Sequence, residues 1–182
     1  MFLLIQLAII LVFALVLYKH QYVTCPPNQV LVIYKTTRYD NNPIFIHGGG
    51  YFVIPLVQAY QVLSLEPYFI EFELNDALTK VNTRISIPIA ITFAISTEKD
   101  IMKNAAIRIL GLNKHDILLQ AKDIIIGRLR LAIGMNTTEE IIEDRKKFYD
   151  TVSEELNKGL NEIGMEVINL NLKNIIIEKN DR

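Results

Sequence analysis

The residues able to do chemistry are few in this sequence, and they stand far apart. The three histidines, His20, His47 and His115, show none of the HxH or HxxxH spacings that bring two imidazoles to one metal ion. Cys25 is the single cysteine, so neither an internal disulfide nor a CxxC zinc half-site can form. We therefore expect no metal and no cofactor.

Two further groups have a functional and a structural interpretation. Glu71, Glu73 and Asp76 form an acidic cluster, but general acid–base catalysis needs a desolvated pair, and a solvated strand face is favoured. The triple glycine 48–50 is followed by an extended run instead of the helix that a phosphate-binding loop requires, which favours a turn. No Gly-x-Ser-x-Gly signature is present. The sequence indicates no catalytic residue, and we expect no enzyme.

The charge balance excludes one class of partner. The 182 residues carry 19 basic and 20 acidic side chains, a net charge of −1, without a block of like charge. Nucleic-acid binding needs a concentrated basic face, so it is not expected.

The apolar excess is concentrated at the N-terminus, where residues 1–18 contain no charged side chain. As a helix these residues reach about 27 Å, close to the roughly 30 Å hydrocarbon core of a bilayer. No small-x-small cleavage site follows, so residues 1–19 are interpreted as a retained membrane anchor instead of a signal peptide. The lipid-facing candidates are Phe2, Leu3, Leu4, Ile5, Leu7, Ile9, Ile10, Leu11, Val12, Phe13, Leu15, Val16 and Leu17.

The flanks of the anchor carry two weaker signals. Lys19 and His20 directly follow the uncharged run 1–18, and a local basic excess favours a cytoplasmic position for the rest of the chain. Cys25 lies just beyond the membrane segment, where cysteines can be acylated; an incidental residue is the favoured interpretation.

After Pro26-Pro27 the first half of the chain has strand character. The clearest strand is 84–96, where isoleucine and phenylalanine occupy the odd positions and small or polar residues the even ones. Pro88 within it predicts an edge position or a bulge. Shorter strands are predicted at 29–34, 44–46, 51–54, 60–65 and 68–74, with the glycines 48–50 forming a hairpin or tight loop.

A helical period follows residue 96. Thr97 is a candidate cap for a first helix that stops before Gly111, and Asn113 for a second helix to about Ile133 with Ile117, Ala121, Ile124 and Leu131 on its apolar stripe. Thr137 and Glu140 have capping-box spacing and open a third helix that ends before Gly164. Its apolar face is predicted to contain Ile141, Arg145, Phe148, Val152, Leu156 and Ile163. A final strand over 166–177 completes an α+β layout.

Several of these segments, in order, resemble the flotillin branch of the stomatin/prohibitin/flotillin family, also called the band 7 or SPFH family. The resemblance covers residues 25–177, the expected SPFH domain, and leaves 178–182 as a polar tail where flotillins continue into a long coiled coil. The matching segments are PPNQVLV at 26–32, IHGGGYFVIP at 46–55, VLSLEP at 62–67, AKDIIIGRLR at 121–130, TEEI at 138–141, DRKKF at 144–148 and IGM at 163–165.

The resemblance implies a membrane-anchored, homo-oligomeric scaffold of membrane microdomains, or rafts, at the plasma or inner membrane, with client membrane proteins as partners. A membrane protease or an NfeD-like protein is among these clients. The alternative within the family is a modulator of a membrane-bound protease, as in its prohibitin-like and bacterial Hfl members. A membrane-tethered hydrolase is the second alternative, which the missing nucleophile–base pair disfavours.

Two sets of residues are candidates for contact with the membrane surface. Phe45, Tyr51 and Phe52 belong to an apolar segment, 44–57, that is suited to the bilayer interface, although core packing is favoured. A basic set can meet anionic lipid heads or an acidic neighbour, although solvated helix faces are favoured. This basic set consists of Arg128, Arg130, Arg145, Lys146 and Lys147.

Overall fold

A computed structural model describes residues 5–6, 21–35 and 43–177. The predicted anchor, apart from Ile5 and Gln6, lies outside the described residues, as do His20 and the tail 178–182. Within the described ranges, no helix has the length and apolar character needed to cross a bilayer. The chain divides between Leu65 and Glu66 into two units.

The first unit is an antiparallel sheet built around one central strand. Strand β1 (Tyr22–Lys35) pairs with β2 (Ile44–Phe52) on one side and with β3 (Gln58–Ser64) on the other. Cys25, Leu31 and Ile33 form a buried cluster, and three partly buried neighbours pack against it. These neighbours are Val23, Ile46 and Tyr51.

The triple glycine lies inside a strand, so the predicted hairpin at 48–50 is wrong. Residues 26–29 of β1 bulge out opposite Gly48, because the pairing of Cys25 with Gly49 is followed by that of Val30 with His47. Gly48 and Gly49 have φ values of +74° and +86°. Side chains rarely adopt this left-handed conformation, and glycine adopts it without a steric penalty. The glycines therefore let β2 follow a strongly bulged partner.

A short turn, residues 53–57, joins β2 to β3. β2 ends opposite Tyr22 and β3 begins opposite Lys35, which are the two ends of β1. A link of five residues reaches roughly 20 Å at most, whereas 14 residues of straight strand would extend for about 45 Å. The bulge must therefore bend β1 sharply, as β-bulges do.

The second unit has a sheet centred on β5 (Arg84–Ile95). Strand β4 (Tyr68–Leu78) pairs with one side of β5, and β6 (Met165–Leu172) and the two-residue β7 (Ile176–Ile177) pair with the other, all antiparallel. The predicted period of two in β5 is confirmed, since its odd-numbered residues from Ile85 to Ile95 are all buried. The predicted final strand is interrupted, and becomes β6 and β7.

Pro88 lies in this central strand, and the prediction of an edge strand is wrong. β4 lies opposite it through Glu73, but on the other side β6 pairs only as far as Ile89 and β7 begins at Ser86. The Pro88 carbonyl accepts a hydrogen bond from the Lys173 N–H at 3.0 Å. The missing N–H of proline therefore faces the gap between β6 and β7, where no ladder bond is lost.

In the described part of the chain, four helices follow β5. They are α1 (Lys99–Arg108), α2 (Lys114–Met135), α3 (Thr138–Glu143) and α4 (Arg145–Asn161). Asn113 caps α2 and Thr137 forms the capping box with Glu140, as predicted. Thr97 is not the first cap, because Glu98 holds that position without a side-chain hydrogen bond. The predicted third helix is broken at Asp144, whose carboxylate caps α4.

The helices cover one face of the second sheet. Helix α2 packs against α4 and β4, and α4 packs against β6. The buried stripe of α2 contains Ile125 and Leu129, whereas Leu131, predicted to lie on it, is exposed. Strands followed by helices around a shared sheet confirm the α+β class.

Candidate functional site

In the first unit, the turn at 53–57 places an apolar side chain in water on a strained backbone. Leu56 is 97 % exposed and has a φ of +69°, an unfavourable conformation for a leucine. The turn is held by hydrogen bonds from the Gln58 N–H to the Ile54 carbonyl, 2.9 Å, and from the Ile54 N–H to Gln58 Oε1, 3.0 Å. A strained backbone that presents an apolar side chain to water is typical of a functional surface.

Other exposed apolar side chains surround this turn in the chain. Ile54 and Val57 flank Leu56, and Phe52 at the end of β2 pairs with the exposed Tyr22. Ile44 and Tyr60 are exposed as well. Both lie opposite Ile33, so these three side chains share one face of the sheet. We call Phe52, Ile54, Leu56 and Val57 the apolar tip.

The three aromatic residues proposed from the sequence differ in position. Phe52 is exposed and belongs to the apolar tip. Tyr51 packs against the buried cluster around Leu31, and Phe45 is partly buried. Leu56 was missed, although the run Ile54-Pro55-Leu56-Val57 already combined a turn-forming proline with three apolar residues.

Cys25 has a structural environment. Its side chain is buried, and the thiol lies 3.2 Å from the carbonyl oxygen of Gln29 and 3.4 Å from that of Ile46. These contacts link the two sides of the β1 bulge. A thiol enclosed in this way is not presented to an acyl donor in the folded unit.

The other residues considered for chemistry stay apart. His47 and His115 are exposed and lie in different units, and His47 Nε2 is 3.0 Å from the Pro27 carbonyl oxygen. Glu71 pairs with Lys173 and Asp76 with Arg84, all largely exposed, as expected of a solvated strand face. Over the described ranges, no three His, Cys, Asp or Glu side chains are grouped to hold a metal ion.

The basic residues of α2 and α4 fall into two groups. Arg128 joins the helices, with ion pairs to Glu155 at 3.5 Å and Glu162 at 2.8 Å. A hydrogen bond from Lys158, together with the charges of Lys158 and Arg128, lowers the pKa of the buried Glu155 carboxyl, and Glu154 and Glu155 raise the pKa of Lys158. Arg130, Arg145, Lys146 and Lys147 are exposed.

A family model described as "SPFH domain / Band 7 family" matches residues 23–181. The chain belongs to this family. Flotillin-1 of Carassius auratus is 32 % identical to it over 157 residues, which are 84 % of this chain and 36 % of that protein. Flotillin-1 of Homo sapiens is 31 % identical over 157 residues, 84 % of this chain and 35 % of its own length.

These relatives confirm the flotillin-like character that the sequence motifs predicted. The chain spans about a third of the length of the curated relatives it matches.

Proposed function

We propose that this SPFH protein is a membrane-anchored, flotillin-like scaffold, which assembles with copies of itself and organises lipids and client membrane proteins around it. Membership of the family and the similarity to flotillin-1 support this function. The dispersed histidines and solvated carboxylates of the described residues favour binding over catalysis.

The membrane contact in this proposal has two parts. Residues 1–19 are the main tether, and the apolar tip enters the interface of the same bilayer. The observation that supports contact by the apolar tip is that Leu56 is almost fully exposed and has a left-handed backbone. Burying a leucine side chain in an apolar medium is worth about 1.5–3 kcal/mol, enough to offset the backbone strain of about 1–2 kcal/mol.

The chain contains no tryptophan, so a single introduced indole can report on the apolar tip without background. In Leu56→Trp, reconstituted through its own anchor into phosphatidylcholine vesicles, we expect blue-shifted emission and strong quenching by brominated acyl chains. The physical reason is that an indole at this position would lie at the boundary of head groups and acyl chains.

The matched control is Ile107→Trp, an exposed apolar position on α1 in the second unit. We expect its emission to stay that of an indole in water, with little quenching. Equal quenching at both positions, or none at position 56, would contradict the interfacial contact and leave the anchor as the sole membrane attachment.

A further inference from the structure

Two adjoining hollows of about 290 and 300 Å³ open beside the start of α4. Both are lined by Arg145 and Ile175. The other lining residues are Phe148, Tyr149, Leu170, Asn171 and Leu172 in the first hollow and Ile142 and Asn174 in the second. We call the pair the Arg145 groove; its walls are mainly apolar, with one charged side chain.

Three consecutive residues of β6, Leu170, Asn171 and Leu172, line the groove, and β6 lies at an edge of its sheet. β5 is the one strand paired with β6 among the described residues. The Lys173 N–H points to β5, because it donates to the Pro88 carbonyl. Backbone groups alternate in direction along a strand, so those of Leu172 and Leu170 point away from β5. The N–H and C=O groups of Leu170 and Leu172 therefore have no strand partner among the described residues.

The one charged side chain that lines the groove, Arg145, is basic. α4 begins with Arg145-Lys146-Lys147 and has no acidic residue in its first turn. No ion pair joins these three side chains to another described residue. The Asp144 carboxylate already caps this helix, by accepting a hydrogen bond from the Lys147 N–H at 3.0 Å. The Arg145 guanidinium, which has no ion-pair partner among the described residues, is the group that can pair with a carboxylate of a ligand.

We propose that the Arg145 groove binds an extended peptide segment of a client protein. The segment adds to β6 as a further strand, places an apolar side chain in the groove and pairs a carboxylate with Arg145. Strand addition accounts for all three features at once, because main-chain hydrogen bonds supply affinity while the pocket and the charge supply specificity. An acyl chain would fill the apolar walls but leave the edge of β6 unpaired.

The identification of the peptide as part of a client rests on the proposed scaffold function; the groove itself does not. Binding to the groove is measured with soluble peptides, whereas membrane contact is measured at Leu56. Failure of either result therefore leaves the other standing.

The test uses the full chain in lipid nanodiscs and a pool of fluorescein-labelled octapeptides with amidated C-termini. Each peptide has Val, Ile or Leu at alternate positions and one Asp or Glu between them. By fluorescence anisotropy we expect members of the pool to bind with a Kd of roughly 1–100 μM, the range of modest strand-addition contacts. In Arg145→Glu we expect affinity to fall at least about tenfold, as a charge-assisted pair becomes a repulsion.

Lys146→Glu is the matched control, because it makes the same change of charge next in the chain at a residue that lines neither hollow. We expect it to keep binding within about twofold, the loss that a rim charge causes. Thermal melts show whether both variants stay folded. Backbone N-methylation of the bound peptide should abolish binding, and hydrogen exchange at Leu170 and Leu172 should slow in the complex.

Four results would overturn the proposal. The first is a pool in which no peptide binds more tightly than about 1 mM. The second is an equal loss in both charge variants, which would indicate general electrostatic attraction. The third is unchanged affinity on N-methylation. The fourth is displacement of the peptide by dodecanoate at equal concentration, which would assign the groove to an acyl chain.

Discussion

At the residue scale, Gly164 shows how a single missing side chain sets a close contact. It follows α4 with a φ of +81°, and a Cβ atom placed there would overlap Ala105 of α1. Its N–H donates to the Asn161 carbonyl, and its own carbonyl accepts from Ser96. The glycine therefore ends a helix, starts β6 and lets another helix approach.

Gly164→Ala should lower the free energy of unfolding by about 2–5 kcal/mol. This range combines the cost of a left-handed alanine with that of overpacking. Denaturant unfolding followed by circular dichroism measures the loss. Gly127→Ala is the control, because Gly127 lies exposed within α2 with open space around its Cβ position. It should gain roughly 0.5–1 kcal/mol, and a similar loss in both variants would contradict the argument.

At the element scale, capping residues decide where the helices of the second unit start. The Glu140 carboxylate accepts a hydrogen bond from the Thr137 N–H at 2.8 Å, and the Thr137 hydroxyl accepts one from the Glu140 N–H at 3.2 Å. The hydrogen bond that the Glu140 carboxylate accepts from the Thr137 N–H is the main cause that lowers the pKa of this carboxyl. The Asp144 cap then begins α4 immediately after α3.

A lowered pKa in the folded state makes the cap sensitive to acid. The ionised Glu140 stabilises the fold above the ordinary glutamate pKa of about 4.5, and this stabilisation is lost as the pH falls through that value to the lower folded pKa. Glu140→Gln should therefore flatten the decline of Tm on acidification. The exposed neighbour Glu139 provides the control, because Glu139→Gln should keep the wild-type slope. Parallel slopes in all three proteins would show that the cap makes no ionic contribution.

Glu155 contributes acid sensitivity of the same sign, because its pKa is lowered as well. Its partners Arg128 and Lys158 join it to α2 and to the next turn of α4. The two helices also approach closely at Gly159, where a Cβ atom would meet Arg128 and Ile124. The basic residue Arg128 thus serves the packing of helices.

At the scale of the whole molecule, the prediction concerns attachment to the membrane. Deletion of residues 1–18 should move the protein to the soluble fraction while the domain stays folded, because the strongest apolar segment has been removed. Fractionation with salt and carbonate washes, alongside circular dichroism, measures both parts. Retention of the folded, truncated protein in the washed pellet would assign the main tether to another surface.

Local patterns were sufficient for many elements. Alternation in β5, the Asn113 cap and the capping box at Thr137 involve neighbours in the chain, and all three were predicted. Errors came where a distant partner overrides the local pattern. The glycines 48–50 resemble a turn until the bulge of β1 is placed opposite them, and Pro88 indicates an edge until β6 and β7 are seen to leave a gap beside it.

The sequence by itself determined the α+β class, two of the four helix starts and the resemblance to the SPFH family, because periodicity, caps and ordered motifs are written in consecutive residues. The tertiary structure decided which apolar residues remain in water and which backbone groups lack a strand partner. Leu56 and Phe45 are both apolar residues in one short segment, yet the first is exposed and the second partly buried. Exposure and edge pairing depend on contacts between residues far apart in the chain, which no local pattern specifies.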